Sequence, residues 1–132
     1  MTNEAPSRIG MSILAIIAGL VAIFVLSLAT DQLFHSLGVY APWGEPMNET
    51  ADAILAFAYR CLYGIAGGYI AGRLAPRAPV AHALALGGIG VVLSTLGAVA
   101  MWDMAPAWFS LGLVATALPV SWAGGTLAAR RR

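Results

Sequence analysis

The sequence predicts an all-α protein that crosses a membrane four times, its helices forming two hairpins in one antiparallel bundle. Three observations carry that expectation. Four long stretches are continuously apolar. Hydrophobic residues make up 60% of the 132 and charged residues only 10%, with a mean hydropathy of +0.82. And the arginines alternate with the carboxylates from one linker to the next. A soluble domain carries roughly 25% charged residues, and a soluble chain this short exposes too much surface for so few charges to cover. The same numbers exclude disorder, which requires low hydrophobicity.

The first stretch, residues 9–30, exceeds the roughly 20 helical residues that a hydrocarbon core requires. Arg8 and the small-x-small run Ser27-Leu28-Ala29 give it a rival reading as a cleavable leader. The apolar run is longer than the 7–15 residues of a leader core, so a retained helix is expected. An outer loop then spans 31–50. Its start, Gln32 to Leu37, can extend the first helix as an amphipathic turn. The Pro/Gly-rich run Tyr40-Ala41-Pro42-Trp43-Gly44-Glu45-Pro46 marks the reversal. Tyr40 and Trp43 join Trp102 and Trp108 at one membrane face, as an aromatic belt does.

The second helix is expected over 51–72 and the third over 80–102, joined by the tight turn Leu74-Ala75-Pro76-Arg77-Ala78-Pro79. Asp103-Met104-Ala105-Pro106 links the third to the fourth, over 107–129, with Pro106 suited to a helix's first turn. Pro119 removes one hydrogen bond inside the fourth helix, so a kink near 115–118 is expected. Barrel strands would show ten-residue alternation, which these stretches lack. The chain reads as one domain.

All seven basic residues are arginine. Arg8, Arg73, Arg77 and Arg130 to Arg132 occupy the N-terminus, the second linker and the C-terminus. The first and third linkers carry Asp31, Glu45, Glu49, Asp52 and Asp103 with no Lys or Arg. The positive-inside rule then puts both termini in the cytoplasm. Clusters this short are topology signals rather than a nucleic-acid surface. A faint repeat relates Ala66-Gly67-Gly68-Tyr69-Ile70-Ala71-Gly72-Arg73 to Ala123-Gly124-Gly125-Thr126-Leu127-Ala128-Ala129-Arg130, as two hairpins inserted the same way would. Coincidence between two Gly/Ala-rich helix ends is an equal reading.

Gly64, Gly68 and Gly72 lie four apart and form a groove that lets another helix approach closely. Gly90, Ser94 and Ala98 of the third helix offer a partner seam. The seams hold the four helices together, or, on a sharper reading, join two copies of the chain.

Arg60 is the most informative single residue. It lies about nine residues, or ~13 Å, from the outer end of the second helix. An arginine there costs ~2.5–3.5 kcal/mol on insertion scales unless it is paired or snorkels toward the interface. Asp31 and Asp103, ending the first and third helices, are its candidate partners, with the rings of Tyr63 and Trp102. Asp52 is two turns away on the same helix, too far for a direct pair. A structural pair that orients the bundle is favoured over an ion or anionic-substrate site.

His35 and His82 sit at opposite ends of a core ~30 Å thick, so one chain cannot place both on one haem iron. Each is expected at an interface, and no cofactor or metal is expected. Cys61, the single cysteine, reads as a small core residue. No zinc motif, phosphate loop or nucleophile elbow is present, and no pair of intramembrane carboxylates, so an enzyme is not expected.

The run Tyr63-Gly64-Ile65-Ala66-Gly67-Gly68-Tyr69-Ile70-Ala71-Gly72-Arg73, the turn that follows it and Val80-Ala81-His82-Ala83-Leu84 resemble the central hairpin of small four-helix bacterial inner-membrane proteins of unknown function. The resemblance implies a bacterial inner membrane and brings no activity with it. Small multidrug-resistance exporters share the length and helix number, but residues 9–30 lack their membrane-embedded glutamate. The expected role is structural or accessory, as a subunit or assembly factor in contact with lipid and a larger membrane complex. The alternative is a small homo-oligomeric transporter or channel with Arg60 on its path.

Overall fold

The computed structural model describes residues 4–42, 44–46 and 49–132, with the backbone alone at 4–7. Among these residues there are four α-helices and no strand: α1 (Glu4–Ser36), α2 (Thr50–Leu74), α3 (Pro79–Ala100) and α4 (Ala107–Arg130). Each is long and apolar enough to cross a membrane.

The largest departure from the expected bounds is in α1, which runs to Ser36 rather than ending at 30. Nothing between Asp31 and Ser36 breaks a helix, and the first residue that does is Gly38. Gly38 adopts φ +80°, its N–H bonds the His35 carbonyl, and the Val39 N–H bonds the Phe34 carbonyl. These two bonds form a Schellman cap, which needs a left-handed residue at this position. The cap folds the chain back so that Tyr40 lands on Phe34, ring centroids 5.4 Å apart. Tyr40 is therefore buried, 4% exposed, and belongs to the core rather than to an interfacial belt. Trp102 and Trp108 remain exposed, and Trp43 lies outside the described residues.

A Cβ at Gly38 would meet nothing within 4 Å, so its replacement is resisted by backbone conformation alone. Gly38→Ala is expected to cost about 1–2 kcal/mol, read as a lower unfolding midpoint in detergent.

α3 ends at Ala100, two residues short of expectation, because Met101 leaves helical geometry and Trp102–Met104 form a single 3-10 turn. Pro106 then sits at the N-cap of α4, just before the first turn. α4 continues unbroken through Pro119 to Arg130.

Small residues set the packing. α2 buries Gly64, Gly67, Gly68, Ala71 and Gly72 and is flanked by α1 and α4. On α1 the buried positions Ala15, Gly19, Ser27 and Asp31 recur at multiples of four, forming the stripe that faces α2. The Gly64-Gly68-Gly72 seam faces α4, with Gly72 also against Pro79 at the start of α3. A Cβ at Gly64 would meet Val120, at Gly68 the Ser121 backbone, and at Gly72 Ala128. Residue numbers rise together along this contact, so α2 and α4 run in the same direction. Gly90 instead has ordinary contact with Ala117 of α4, while Ser94 and Ala98 line a cavity. The close α3–α4 approach is made by Gly87 and Gly125, against Leu118 and Ala83 respectively.

The physical reason is geometric. The short α3–α4 link makes α4 antiparallel to α3, and the glycine stripes on α2 and α4 let those two helices pack almost backbone to backbone. Each Gly-Gly pair serves two neighbours. Gly68 and Gly124 face each other's helices, whereas Gly67 faces Gly19 and Ile23 of α1 and Gly125 faces Ala83 and Val80 of α3. Since α4 covers Gly64, Gly68 and Gly72, self-association through that seam would require the bundle to open.

Candidate functional site

Antiparallel packing of α1 on α2 brings Thr30 to Tyr63 and Asp31 to Arg60. Two of the four helices thus meet through polar groups toward the acidic end of the bundle. The Arg60 Nη2 group donates to Asp31 Oδ2, and the two side chains form an ion pair. The Tyr59 hydroxyl donates to the other carboxylate oxygen, Oδ1. Tyr59 accepts in turn from the Tyr40 hydroxyl at 3.0 Å and, more weakly, from Arg60 Nη1 at 3.4 Å. A hydroxyl has one proton and two lone pairs, so Tyr59 is fully used.

The guanidinium carbon lies 5.3 Å from the centroid of Tyr59 and 5.7 Å from that of Phe109, both within cation–π range. One turn away, Thr30 Oγ1 donates to the Leu26 carbonyl at 2.7 Å, so the Tyr63 hydroxyl is the donor in its 2.7 Å bond to Thr30. Among the described residues no buried side-chain nitrogen or oxygen lacks a partner.

Around this network stands an aromatic core of Tyr40, Tyr59 and Phe109 with Ala53 and Ala56, packed by Phe34, Phe57, Tyr63 and Leu113. It joins α1, the loop, α2 and α4 at the acidic end of the bundle. Burial pushes the Tyr40 phenol above its ordinary pKa of 10.0, so it stays a proton donor throughout the neutral range. Removing the hydroxyl in Tyr59→Phe leaves Asp31 Oδ1 without its donor. The expected cost is about 1–3 kcal/mol, measured by detergent unfolding against wild type.

Of the candidate partners of Arg60, the structure brings Asp31 to it. Asp103 and Trp102 are exposed on the turn between α3 and α4, and Tyr63 bonds Thr30. His35 Nδ1 pairs with the Ala41 carbonyl, and its ring lies against Tyr40. His82 bonds the Ala78 carbonyl and, at 2.8 Å, the Ser12 hydroxyl, tying α3 to α1 at the arginine end. At that end Arg132 also donates to the carbonyls of Gly72 and Pro76, closing the last turn of α2. Cys61 touches Thr116 of α4 through its sulfur. Among the described residues no group of three His, Cys, Asp or Glu side chains could hold a metal ion.

Two cavities meet at the ion pair. The first, about 360 Å³, lies under the loop and is lined by Asp31, His35, Tyr40, Arg60, Met101 and Phe109, among others. The second, about 390 Å³, lies deeper between α1 and α3, with α4 behind it. Phe24, Leu28, Cys61, Leu93 and Thr116 help to form its walls. Asp31, Arg60, Ser94 and Leu113 line both.

Sequence reasoning missed Tyr59, Tyr40 and Phe109. Tyr59 and Tyr63 stand four apart in α2, one above the other on a helix face, and that spacing beside Arg60 was a usable signal. No local pattern marks Tyr40 or Phe109, which reach the site through a turn and through α4. Comparison with protein-family models, with curated proteins and with solved structures finds no match for this chain.

Proposed function

We propose that this chain is a structural or accessory component of a larger membrane assembly, and not an enzyme. It sits in a bacterial inner membrane with both termini in the cytoplasm, the orientation favoured by its arginines. The observation that carries the reading is the closed state of its intramembrane charges. Asp31 and Arg60 neutralise each other, and Tyr59, itself bonded by Tyr40, donates to the remaining carboxylate oxygen. Intramembrane ionisable residues pair with one another and also mark ion or substrate paths; the pairing of these two across neighbouring helices is what supports a structural role. Here they join α1 to α2. What the bundle presents outward is chiefly apolar, with Ile13, Leu14, Val21, Val25, Val92, Leu96 and Val99 all exposed on α1 and α3.

A second reading has one observation in its favour. The ion pair lines both cavities, as a charged element on a transport path would. Native mass spectrometry of the protein, gently extracted from its own membranes, separates the two. Stoichiometric co-purification with a defined larger complex supports the accessory role. A clean monomer or homo-oligomer that conducts ions in liposomes supports transport instead.

A further inference from the structure

We propose that the cleft between α1 and α3 is a lipid site, holding one acyl chain of a membrane phospholipid with an ester carbonyl on Arg60. The inference needs only that the bundle lies in a bilayer, and it stands whether or not the chain has an accessory role.

The two helices touch at the arginine end, through Ser12 with His82 and through Gly19 with Leu86. Toward the acidic end they part, and the cavity of about 390 Å³ opens between them. Its edges are Phe24 and Leu28 on α1 and Leu93 on α3, each more than a third exposed. In a bilayer that opening faces lipid tails. Left empty, such a cleft forfeits dispersion contacts along every wall.

The opening and the wall chemistry suit a single hydrocarbon chain. At about 30 Å³ per methylene-sized group, the liquid share of one water molecule, the cleft takes about a dozen chain carbons. Leu, Ile, Phe and Val share its walls with Ser27, Ser94, Thr116 and Ser121, but most of the wall surface is apolar, which suits a hydrocarbon chain better than a file of water.

The ion pair fixes where the polar end goes. Arg60 carries five N–H donors and a quarter of its side chain is exposed. Its bonds to Asp31 and Tyr59 use two donors and leave others at the junction of the two cavities. Because Asp31 already neutralises the guanidinium, a neutral acceptor suits the spare donors better than a second anion. An ester carbonyl is such an acceptor. It lies at the boundary between chain and headgroup, and the cavity of about 360 Å³ beneath the loop leaves room for what lies beyond it.

The test uses the full-length protein in phosphatidylcholine nanodiscs whose lipid carries a diazirine near the middle of one acyl chain. Cross-links are mapped by mass spectrometry, and the native Cys61 is probed in parallel with a charged, water-soluble thiol reagent. The expected result is labelling of Leu113 and Thr116 on the inner wall, besides the outward-facing residues, with Cys61 unreactive. Ser94→Phe, which fills the cleft, should abolish the inner-wall label and keep the outer label, the latter showing that the bundle still folds. Labels confined to the outer faces would overturn the proposal. So would rapid modification of Cys61, which would make the cleft aqueous, or chain-to-chain cross-links at Leu93 in place of lipid.

Discussion

Asp31→Asn is expected to destabilise the bundle by about 3 kcal/mol, because it strands the Arg60 charge inside the apolar length of α2. Breaking one side of a buried pair costs about 3–5 kcal/mol, and the lower end applies here because Arg60 is a quarter exposed. Arg60→Met should cost a similar amount by leaving the buried carboxylate with only Tyr59 as a donor. The double variant, Asp31→Asn with Arg60→Met, should regain most of the loss. It buries no net charge, and the side-chain amide that replaces the carboxylate still offers Tyr59 a carbonyl oxygen. Arg60→Lys should be milder than Arg60→Met, since it keeps the charge and gives up the guanidinium geometry. Unfolding of wild type, the two single variants and the double variant in mixed micelles gives the coupling energy. Additive losses in the double variant would mean that the two residues do not act as a pair.

Gly68→Ala and Gly124→Ala are the other large effects. A Cβ at Gly68 would fall within 3.0 Å of the Ser121 backbone, and one at Gly124 within 3.0 Å of the Ile65, Gly68 and Tyr69 backbones. No side chain can rotate out of the way, so α2 and α4 must separate. Overpacking costs typically about 1–3 kcal/mol. The upper end is expected here, because the α2–α4 contact runs through the centre of the bundle. Gly88→Ala and Gly97→Ala meet nothing within 4 Å and serve as controls that should be neutral. Gly90→Ala, at 3.5 Å from Ala117, should also be tolerated. A yield of folded protein that is equal across all five would show that the glycine seam does not hold the bundle.

The helices were legible because each is a continuous apolar run between breakers, and the bundle has no other way to satisfy its backbone. Arg60 was legible for the same reason, as a charge where charges are costly, and its partner Asp31 was one of two carboxylates at helix ends. The sequence could not decide between Asp31 and Asp103, because that depends on which helix packs beside α2. The identity of the helix opposite Gly64, Gly68 and Gly72 was equally hidden. Small residues at four-residue spacing occur on α1, α2, α3 and α4 alike, so spacing alone matches any stripe to any other. Tyr40 was misplaced at the interface because its burial depends on the left-handed turn at Gly38. That single backbone conformation converts an apparent belt residue into a core donor.

On the accessory reading proposed above, Asp31 and Arg60 serve the geometry of the bundle and bind no ion or substrate. The most direct test is native mass spectrometry of the double variant, Asp31→Asn with Arg60→Met, extracted from the membranes of its own cell. The expected result is a folded protein, retained in the same assembly and at the same stoichiometry as wild type. A variant that folds with wild-type stability, yet loses that assembly or changes ion flux in liposomes, would contradict it.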